Sequence, residues 1–367
     1  MDGKQYDKLG TIMKLQSSCV RFFAVFMLFL PLSIVSAAEV SVPQSLAGLI
    51  DSYKHPDGPI PVRIGLIVEE VNEIDQQAES FSVVATLTLQ WQDPDLAFQP
   101  ASSEESFRIF RDEAFERYVL EHKVRWPRFS FFNQQGKRFS QNKLVLLMAD
   151  GRAFYLERFT VKLQAYHLNF SRFPYDSQDF YINIDLLAPT TFNIFTEQLG
   201  DSSLGDWLGL EEWEITRFDT TISKTRQVLG YNSSRFQFHF HAKRKTTYYE
   251  LRIIAPIAII SLISWVIFFL QDYRKRIDFA GGNLLLLIAF NFTISRDLPR
   301  LSYLTFMDSI LFTAFVITSM AVIVNVMLRY IEIHDRVELA RRIDYFIIWI
   351  YPLLYVTGIT VAYKVFF

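Results

Sequence analysis

Cysteine is almost absent from this sequence, which limits how the chain can be held together. Its 367 residues contain one cysteine, Cys19, in a leader segment that we expect to be removed. A chain without a thiol forms no disulfide and offers no cysteine-based metal site. The mature protein must therefore be stabilised by its hydrophobic core and its partners.

The sequence also lacks a charge excess and the common signatures of catalysis. Its 37 basic and 39 acidic residues give a net charge of −2, so nothing indicates nucleic acid binding. No Gly-rich phosphate loop, HExxH motif or nucleophile elbow occurs. Scattered Asp, Glu and His residues leave catalytic pairs open, but no segment concentrates them. We predict that the chain is not an enzyme and carries no cofactor and no metal.

Hydrophobic residues are abundant and unevenly distributed. They make up 50% of the chain, and aromatic residues make up 16%. The first two-thirds is polar and charged, whereas the last third consists mostly of apolar runs. At about 100 to 200 residues per domain, this length predicts two domains of different character.

The N-terminal segment has the pattern of a signal peptide. Lys14 and Arg21 precede an apolar stretch, Phe22–Val35, and small residues follow at Ser36–Ala38. An uncleaved anchor helix is the alternative, but the stretch is short for a span of about 20 residues. We therefore expect residues 1–38 to be a signal peptide and the chain after it to be exported.

Residues from Pro61 to His241 have the pattern of strands. Polar residues alternate with β-branched and aromatic ones in Phe81–Trp91, Tyr181–Leu186 and Arg235–His241. Period-2 runs separated by turn residues predict an antiparallel sandwich. The segment Ser102–Val119 is more helix-like or irregular, and we interpret it as an excursion between strands.

Four apolar runs follow the strand region. They are Ile253–Leu270, which contains Pro256, then Ile277–Ile294, Ser309–Leu328 and Ile343–Phe367. Each run is near the length that crosses a bilayer as a helix. Buried helices of a soluble protein are the alternative, but they would require four such helices in succession. The predicted fold is an immunoglobulin-like β-sandwich at 39–247 followed by a four-helix transmembrane bundle at 248–367.

The basic residues predict the orientation in the membrane. The loops after the first and third spans carry the larger sets, which are Arg274, Lys275, Arg276, Arg329, Arg336, Arg341 and Arg342. The loop after the second span has only Arg296 and Arg300. The positive-inside rule places the first set in the cytoplasm, so the β domain and the C-terminus lie outside. We expect a multi-pass protein of a cell membrane, the inner membrane of a bacterium.

The second span carries a stripe typical of a pore wall. Its members recur at spacings of four and three residues and are Asp278, Gly282, Leu285, Ala289, Phe292 and Arg296. An ionisable residue within a span usually faces the bundle interior or water. In a symmetric ring, Asp278 would filter charge, and Leu285 and Phe292 would gate by dewetting. A helix-end salt bridge between Asp278 and Arg274 is the alternative, and the two can coexist.

An ordered set of motifs resembles one family. Phe173-Pro174-Tyr175-Asp176 is similar to the Phe-Pro-aromatic-Asp loop of the Cys-loop receptor superfamily of pentameric ligand-gated ion channels. Tyr166 and Phe180 stand where eukaryotic members have cysteines, as in prokaryotic members. Further matches run to the C-terminus in order: Trp91 to Asp93, Trp126-Pro127 with Asn133, Glu212 to Ile215, Arg244, Pro256 and Leu298-Pro299.

This resemblance implies how the channel is assembled and opened. It implies a homopentamer in a lipid bilayer, with a central pore lined by the second span and ligand sites between outer domains. It also implies coupling between the domains through Phe173, Pro174, Asp176, Arg244 and Pro299. A carboxylate beside a guanidinium makes a strong, directional pair. A static structural salt bridge between Asp176 and Arg244 is the alternative.

The agonist is less defined than the architecture. The family holds amines in aromatic boxes, and here the implied walls are Phe132, Leu187 and Thr86, with Phe218 and Tyr231 on a hairpin from Thr216 to Phe240. The box is incomplete, and ordinary packing is the alternative. Protons are a second possibility. Candidate sensors are Glu70 and Glu79, which flank a predicted turn at Val71–Ala78, and the histidines His122, His167, His239 and His241.

The predicted function is an agonist-opened channel for inorganic ions. Five Asp278 carboxylates at a narrow point favour monovalent cations. Five Arg274 side chains would oppose that preference unless they pair with Asp278 or turn away. An anion-selective channel of the same family and a non-conducting membrane sensor are the alternatives. The agonist is a small molecule or protons.

Overall fold

The structure of the chain is a computed structural model that describes residues 58–100, 106–197, 202–206, 208–209, 211–227, 230–295, 301 and 303–367. The predicted signal peptide at 1–38 lies outside the described residues. So do Arg296, the last member of the predicted pore stripe, and Pro299, a predicted coupling residue.

The described part of the first two-thirds of the chain is built of strands. In chain order they are β1 Ile60–Asp75, β2 Ser80–Gln92, β3 Phe107–Arg111, β4 Phe129–Phe131, β5 Gln134–Met148, β6 Arg152–Gln164, β7 Ser177–Leu186, β8 Asn193–Glu197, β9 Ser203–Leu204, β10 Trp213–Arg226 and β11 Asn232–Arg244. A short helix, α1 (Ala114–Glu121), follows β3. The segment predicted as helix-like or irregular therefore contains both a strand and a helix.

The strands form two sheets that face each other. The first has the order β3-β5-β6-β2-β1-β8, with β9 also paired to β1, and the second has the order β10-β11-β7-β4. The sandwich prediction is confirmed. Most pairs are antiparallel as predicted, but β8 and β9 run parallel to β1.

Alternation along the strands builds the core between the sheets. In β2, Val83, Ala85 and Leu87 are fully buried, and in β11 Phe236 and Phe238 are as well. Their neighbours in sequence point to the opposite face of the sheet, as the period of two requires. Burial of each large side chain contributes about 1.5–3 kcal/mol. The core therefore fixes the register on which the outward-facing polar residues depend.

Four long helices follow the sandwich. They are α2 (Thr247–Phe269), α3 (Tyr273–Ile294), α4 (Phe306–Ile333) and α5 (Val337–Phe366), and each is long and apolar enough to cross a membrane. Each begins before the predicted apolar run, because its first turn contains polar or charged residues. The side chain of Asp272 accepts a hydrogen bond from the Arg274 N–H, and Thr305 and Asp308 form a capping box.

The helices approach closely and exchange a few polar contacts. At Gly358 in α5, an added Cβ would lie 2.4 Å from a methyl carbon of Thr313 in α4, so the small residue permits the contact. Trp265 Nε1 donates to the Ile348 carbonyl at 2.9 Å. These contacts join α2, α4 and α5 on one side and leave a face of α3 uncovered.

The loop between β6 and β7 sits on the ends of the helices. Phe170 and Phe173 belong to one buried cluster with residues of α2, α3 and α4. The Phe306 N–H donates to the Ser171 carbonyl at 2.8 Å, and Arg172 Nε donates to the Phe366 carbonyl at 2.8 Å. The loop that carries the Phe-Pro-Tyr-Asp motif therefore packs directly against the membrane-spanning part.

Candidate functional site

The predicted pore stripe lies on the exposed face of α3. Its described members are all exposed, with Leu285 at 67% and Phe292 at 73%. The opposite face is buried against the other helices and consists of Tyr273, Arg276, Ala280, Asn283, Leu287 and Ile294. Within one subunit the stripe therefore has no covering surface.

Asp278 and Arg274 occupy the start of this stripe. Both are exposed, and no ion pair joins them among the described residues. The backbone N–H of Arg274 donates to the side chain of Asp272, which caps the helix. The Asp278 carboxylates are therefore free to face a shared axis in an assembly.

A buried arginine at the same end of α3 was not predicted as a site residue. Arg276 is 3% exposed and binds Asp344 of α5 in a fork, with Nη1 to Oδ1 at 2.5 Å and Nη2 to Oδ2 at 2.9 Å. Its Nε donates to the Leu270 carbonyl at 2.5 Å. In the sequence, Arg276 stood out only as one of the basic loop residues. The available signal was Asp344, a carboxylate near the start of the fourth apolar run.

The predicted coupling residues meet at the base of the sandwich. Arg244, at the end of β11, has a fully buried side chain whose Nε and Nη2 donate to Asp176 at 2.8 and 3.2 Å. Its Nη1 contacts Glu212, and the Tyr249 hydroxyl donates to the same Glu212 at 2.6 Å. The guanidinium lies 4.1 Å from the ring of Trp213. The site therefore joins β7, β10, β11 and α2.

Aromatic contacts extend this cluster into the loop motif. Phe173 packs edge-on against Tyr249 with 4.9 Å between centroids, and the Phe173–Pro174 peptide bond is cis. Burial alone would lower the pKa of Arg244, but its hydrogen bond and attraction to Asp176 raise that pKa above the ordinary value. Glu212 belongs to a matched motif, but no role was predicted for it.

The predicted ligand-binding residues are only partly brought together. The Tyr231 hydroxyl donates to the Leu187 carbonyl at 2.7 Å. Phe132 is 59% exposed, and its main chain pairs with Asn183, four residues before Leu187. Asn183 and Asp185 of β7 and Leu187, the residue after its end, lie on the same outward face. Asp185 is therefore placed between Phe132, which bonds to Asn183, and Tyr231, which bonds to Leu187.

Phe218 and Thr86 lie elsewhere. Phe218 pairs with Phe240 and stacks on Phe238 at 5.3 Å. Phe240 is five residues from Arg235, about 17 Å along a strand, so Phe218 does not close the group around Phe132. Thr86 lies on the other sheet and donates to Glu69 at 2.5 Å.

The structure does not support the burial argument for Glu70 and Glu79. The strand β1 continues to Asp75, so Glu70 lies within a strand and the turn is shorter than the predicted Val71–Ala78. Both carboxylates are exposed. Within a single subunit neither carboxylate is buried, and their role as proton sensors stays a prediction.

Two histidines instead form a cluster with carboxylates on the outer face of the second sheet. His239 lies between Asp179 of β7 and Asp219 of β10, with its Nε2 and Nδ1 each 2.8 Å from a carboxylate oxygen. His241 Nδ1 is 2.9 Å from the same Asp179 oxygen, and Tyr181 stacks on His239 at 4.7 Å. Burial would raise the pKa of Asp179, but the hydrogen bonds from His241 and His239 hold it below the ordinary value.

Comparison with known proteins agrees with this architecture. Residues 47–246 match the neurotransmitter-gated ion-channel ligand binding domain. The proton-gated ion channel of Gloeobacter violaceus is 28% identical over 283 residues, which is 76% of this chain and 76% of that channel. The gamma-aminobutyric acid receptor subunit rho-2 of Mus musculus is 26% identical over 290 residues, covering 75% of this chain and 59% of that subunit.

The chain belongs to the family of pentameric, Cys-loop-type ligand-gated ion channels. It is a multi-pass membrane protein that assembles with copies of itself, as the family does. Members of the family are channels and receptors, so the prediction that the chain is not an enzyme is confirmed.

Proposed function

We propose that this chain forms a homopentameric, cation-selective channel that an agonist opens from the outer side of a bacterial inner membrane. The outer domain spans 39–247, the pore domain spans 248–367, and the C-terminus lies outside. The observation that carries this proposal is the exposed stripe on α3, opposite the face that packs within the subunit. Large apolar side chains in a stripe that begins with a carboxylate suit a gated, water-filled axis better than lipid.

Assembly is supported by an apolar surface on the first sheet. Phe107 and Ile109 of β3 and Phe154 and Leu156 of β6 are between 36% and 52% exposed. Strand pairing places Ile109 and Phe154 on either side of Leu146 on one face. A contiguous apolar patch of this kind is typical of a protein interface. We propose a second copy of the chain as its partner, as cyclic assembly requires.

Cation selectivity follows from a ring of Asp278. We predict that Asp278→Asn moves the reversal potential in a KCl gradient towards zero, because five carboxylates leave the narrow end of the pore. Single-channel recording of the purified protein in a bilayer measures this shift. The matched control, Asp335→Asn, removes an exposed carboxylate from the loop between α4 and α5 and should leave the potential unchanged. An unchanged potential in Asp278→Asn would refute the filter. The absence of current under all conditions would favour a non-conducting sensor.

We propose protons as the agonist, with the cluster around His239 as the sensor. A neutral imidazole has one N–H and can donate to one carboxylate, whereas the imidazolium donates to both Asp179 and Asp219. Histidine changes charge between pH 5 and 8. Acid therefore strengthens the contact of the β10–β11 hairpin with β7. The proton-gated relative supports this choice.

The charges facing His239 and His241 determine the sign of the pH effect. The charged groups are Asp179 of β7 and Asp219 and Arg217 of β10, where Arg217 lies opposite His241 in the strand register. The titratable but neutral Tyr181 of β7 also faces His239. Because the pKa of Asp179 is lowered, this carboxylate stays ionised further into the acidic range than an ordinary aspartate. Its own stabilising contribution is present above its unfolded pKa and is lost only as the pH falls through the lower folded pKa.

We predict that Asp179→Asn shifts proton activation to a more acidic pH, by at least about half a pH unit, because it removes the carboxylate shared by both histidines. Whole-cell currents between pH 7.5 and 4.5 measure this. Asp150→Asn is the control, since Asp150 pairs with Arg152 at an exposed turn between β5 and β6, on the other sheet from the cluster. Unchanged pH dependence in Asp179→Asn would exclude the cluster as the sensor and favour a small molecule.

A further inference from the structure

A cation of the chain itself already lies on the exposed aromatic wall of the candidate ligand site. The guanidinium carbon of Arg235 is 4.2 Å from the centre of the Phe132 ring. Its Nε and Nη2 donate to the two carboxylate oxygens of Asp185 at 2.6 and 2.8 Å. Exposure of the side chain is 18% for Arg235 and 3% for Asp185. The pair is therefore ordered beneath the ring and not a solvated surface contact.

The polar groups around this pair already have partners. Gln227 Nε2 donates to Asp185 at 3.2 Å and to Ser233 at 2.7 Å. The hydrogen bond with Asp185 also raises the pKa of Arg235, so the guanidinium stays charged. An incoming ammonium group would find the ring face next to Asp185 covered by Arg235, and the buried carboxylate already paired.

We infer that Arg235 is a built-in occupant of the cation position beside Phe132 and that it excludes free organic cations from this site. An aromatic face with a buried carboxylate behind it is the arrangement that binds an organic cation. In this chain Arg235 supplies that cation from β11. Arg235 is therefore a specificity-determining residue, and an agonist other than an amine follows for the wild-type protein. This inference goes beyond the proposed function and uses only the prediction that Phe132 belongs to a ligand site of the outer domain.

Removal of the guanidinium should convert the surface into a site for small organic cations. In Arg235→Gln, the amide can still donate one hydrogen bond to Asp185, but the positive charge and the contact with Phe132 are lost. The unneutralised carboxylate of Asp185 then faces the ring across a space of guanidinium size. Small cations of that shape, such as methylguanidinium, fit this space.

Binding of methylguanidinium to the purified full-length protein tests the inference. By isothermal titration we expect no saturable binding to the wild type. Arg235→Gln should bind methylguanidinium saturably, at least about tenfold more tightly than any residual binding to the wild type. Bound cation should also raise the melting temperature of Arg235→Gln in a concentration-dependent way. Equal binding to both proteins would overturn the inference, and so would no binding to Arg235→Gln.

Three further variants separate the site from general effects. Arg235→Lys keeps a cation and should exclude methylguanidinium like the wild type. Arg235→Gln with Asp185→Asn should lose the new binding. Arg158→Gln removes an arginine that pairs with Glu69 on the other sheet and should create no binding.

Two points keep the inference and the channel proposal distinguishable. If Arg235→Gln does not fold, the wild type still provides a test. Saturable binding of methylguanidinium to the wild type that is lost in Phe132→Leu would overturn the inference. Titration needs no current, so a protein that never conducts can still show the new site, and the channel proposal then fails alone. A conducting protein without the new site refutes only the inference.

Discussion

Replacement of Arg244 by methionine should destabilise the protein by about 3–5 kcal/mol and abolish currents evoked by the agonist. The side chain of Asp176 is 1% exposed, so the substitution leaves its carboxylate buried and, among the described residues, bonded to Gln178 alone at 2.6 Å. Glu212 and Tyr249 lose their shared partner as well. We expect a loss of stability together with a loss of signal transmission from the outer domain to the pore, because Arg244 joins β7 and β10 to the first membrane helix.

A double variant decides between transmission and a static role for the pair. Arg244→Met with Asp176→Leu replaces both charges by apolar groups, which is often neutral or stabilising for a buried pair. We expect the double variant to recover the unfolding midpoint but not the current. Thermal unfolding of the purified protein and patch-clamp recording measure the two quantities. If current returns with stability, the pair is only structural. Arg152→Met, at an exposed pair, should change neither.

The pattern of β11 suggests why transmission would converge on Arg244. Its outward residues form a row of side-chain hydrogen bonds with β7: Arg235 with Asp185, Gln237 with Asn183 at 2.8 Å, and His239 and His241 with Asp179. The strand then ends at Arg244. One strand therefore carries the candidate ligand site, the proposed proton sensor and the coupling site. A shift of β11 against β7 would alter all three together.

The sequence predicted those features that depend on local periodicity. Alternation in Phe81–Trp91 and Arg235–His241 identified β2 and β11, because buried and exposed positions follow each other directly along a strand. The pore stripe was found for a related reason. Spacings of three and four residues fix a helix face whatever the helix packs against. Leu285 and Phe292 are exposed on the subunit, and their place in a pore stays a prediction.

Features that depend on register or on distant partners were missed or misplaced. Arg276 and Asp344 are 68 residues apart, and neither local pattern reveals the other. Phe218 was grouped with Tyr231 because both lie on one hairpin, yet pairing places Phe218 opposite Phe240. The role of Arg235 beside Phe132 was missed for the same reason. Side chains from β4 and β11 meet across β7, and only the sheet order shows it.

The pair of Arg276 and Asp344 gives the second large prediction. Asp344→Leu should destabilise the protein by about 3–5 kcal/mol, because it leaves a guanidinium that is 4% exposed without its carboxylate. The substitution also releases α5 from the cytoplasmic end of α3, where the pore stripe begins. We therefore expect a lower fraction of pentamer by size-exclusion chromatography and a smaller maximal current.

The double variant Arg276→Met with Asp344→Leu separates the charge from the contact. It removes the unpaired guanidinium, so the unfolding midpoint should rise above that of Asp344→Leu alone. The bond from Arg276 to the Leu270 carbonyl is still lost in it, so the current should remain reduced if the position of α3 depends on that bond. Glu338→Gln is the matched control, because Glu338 pairs with Arg341 on the exposed start of α5. Wild-type stability in Asp344→Leu would show that α5 holds α3 by apolar packing alone.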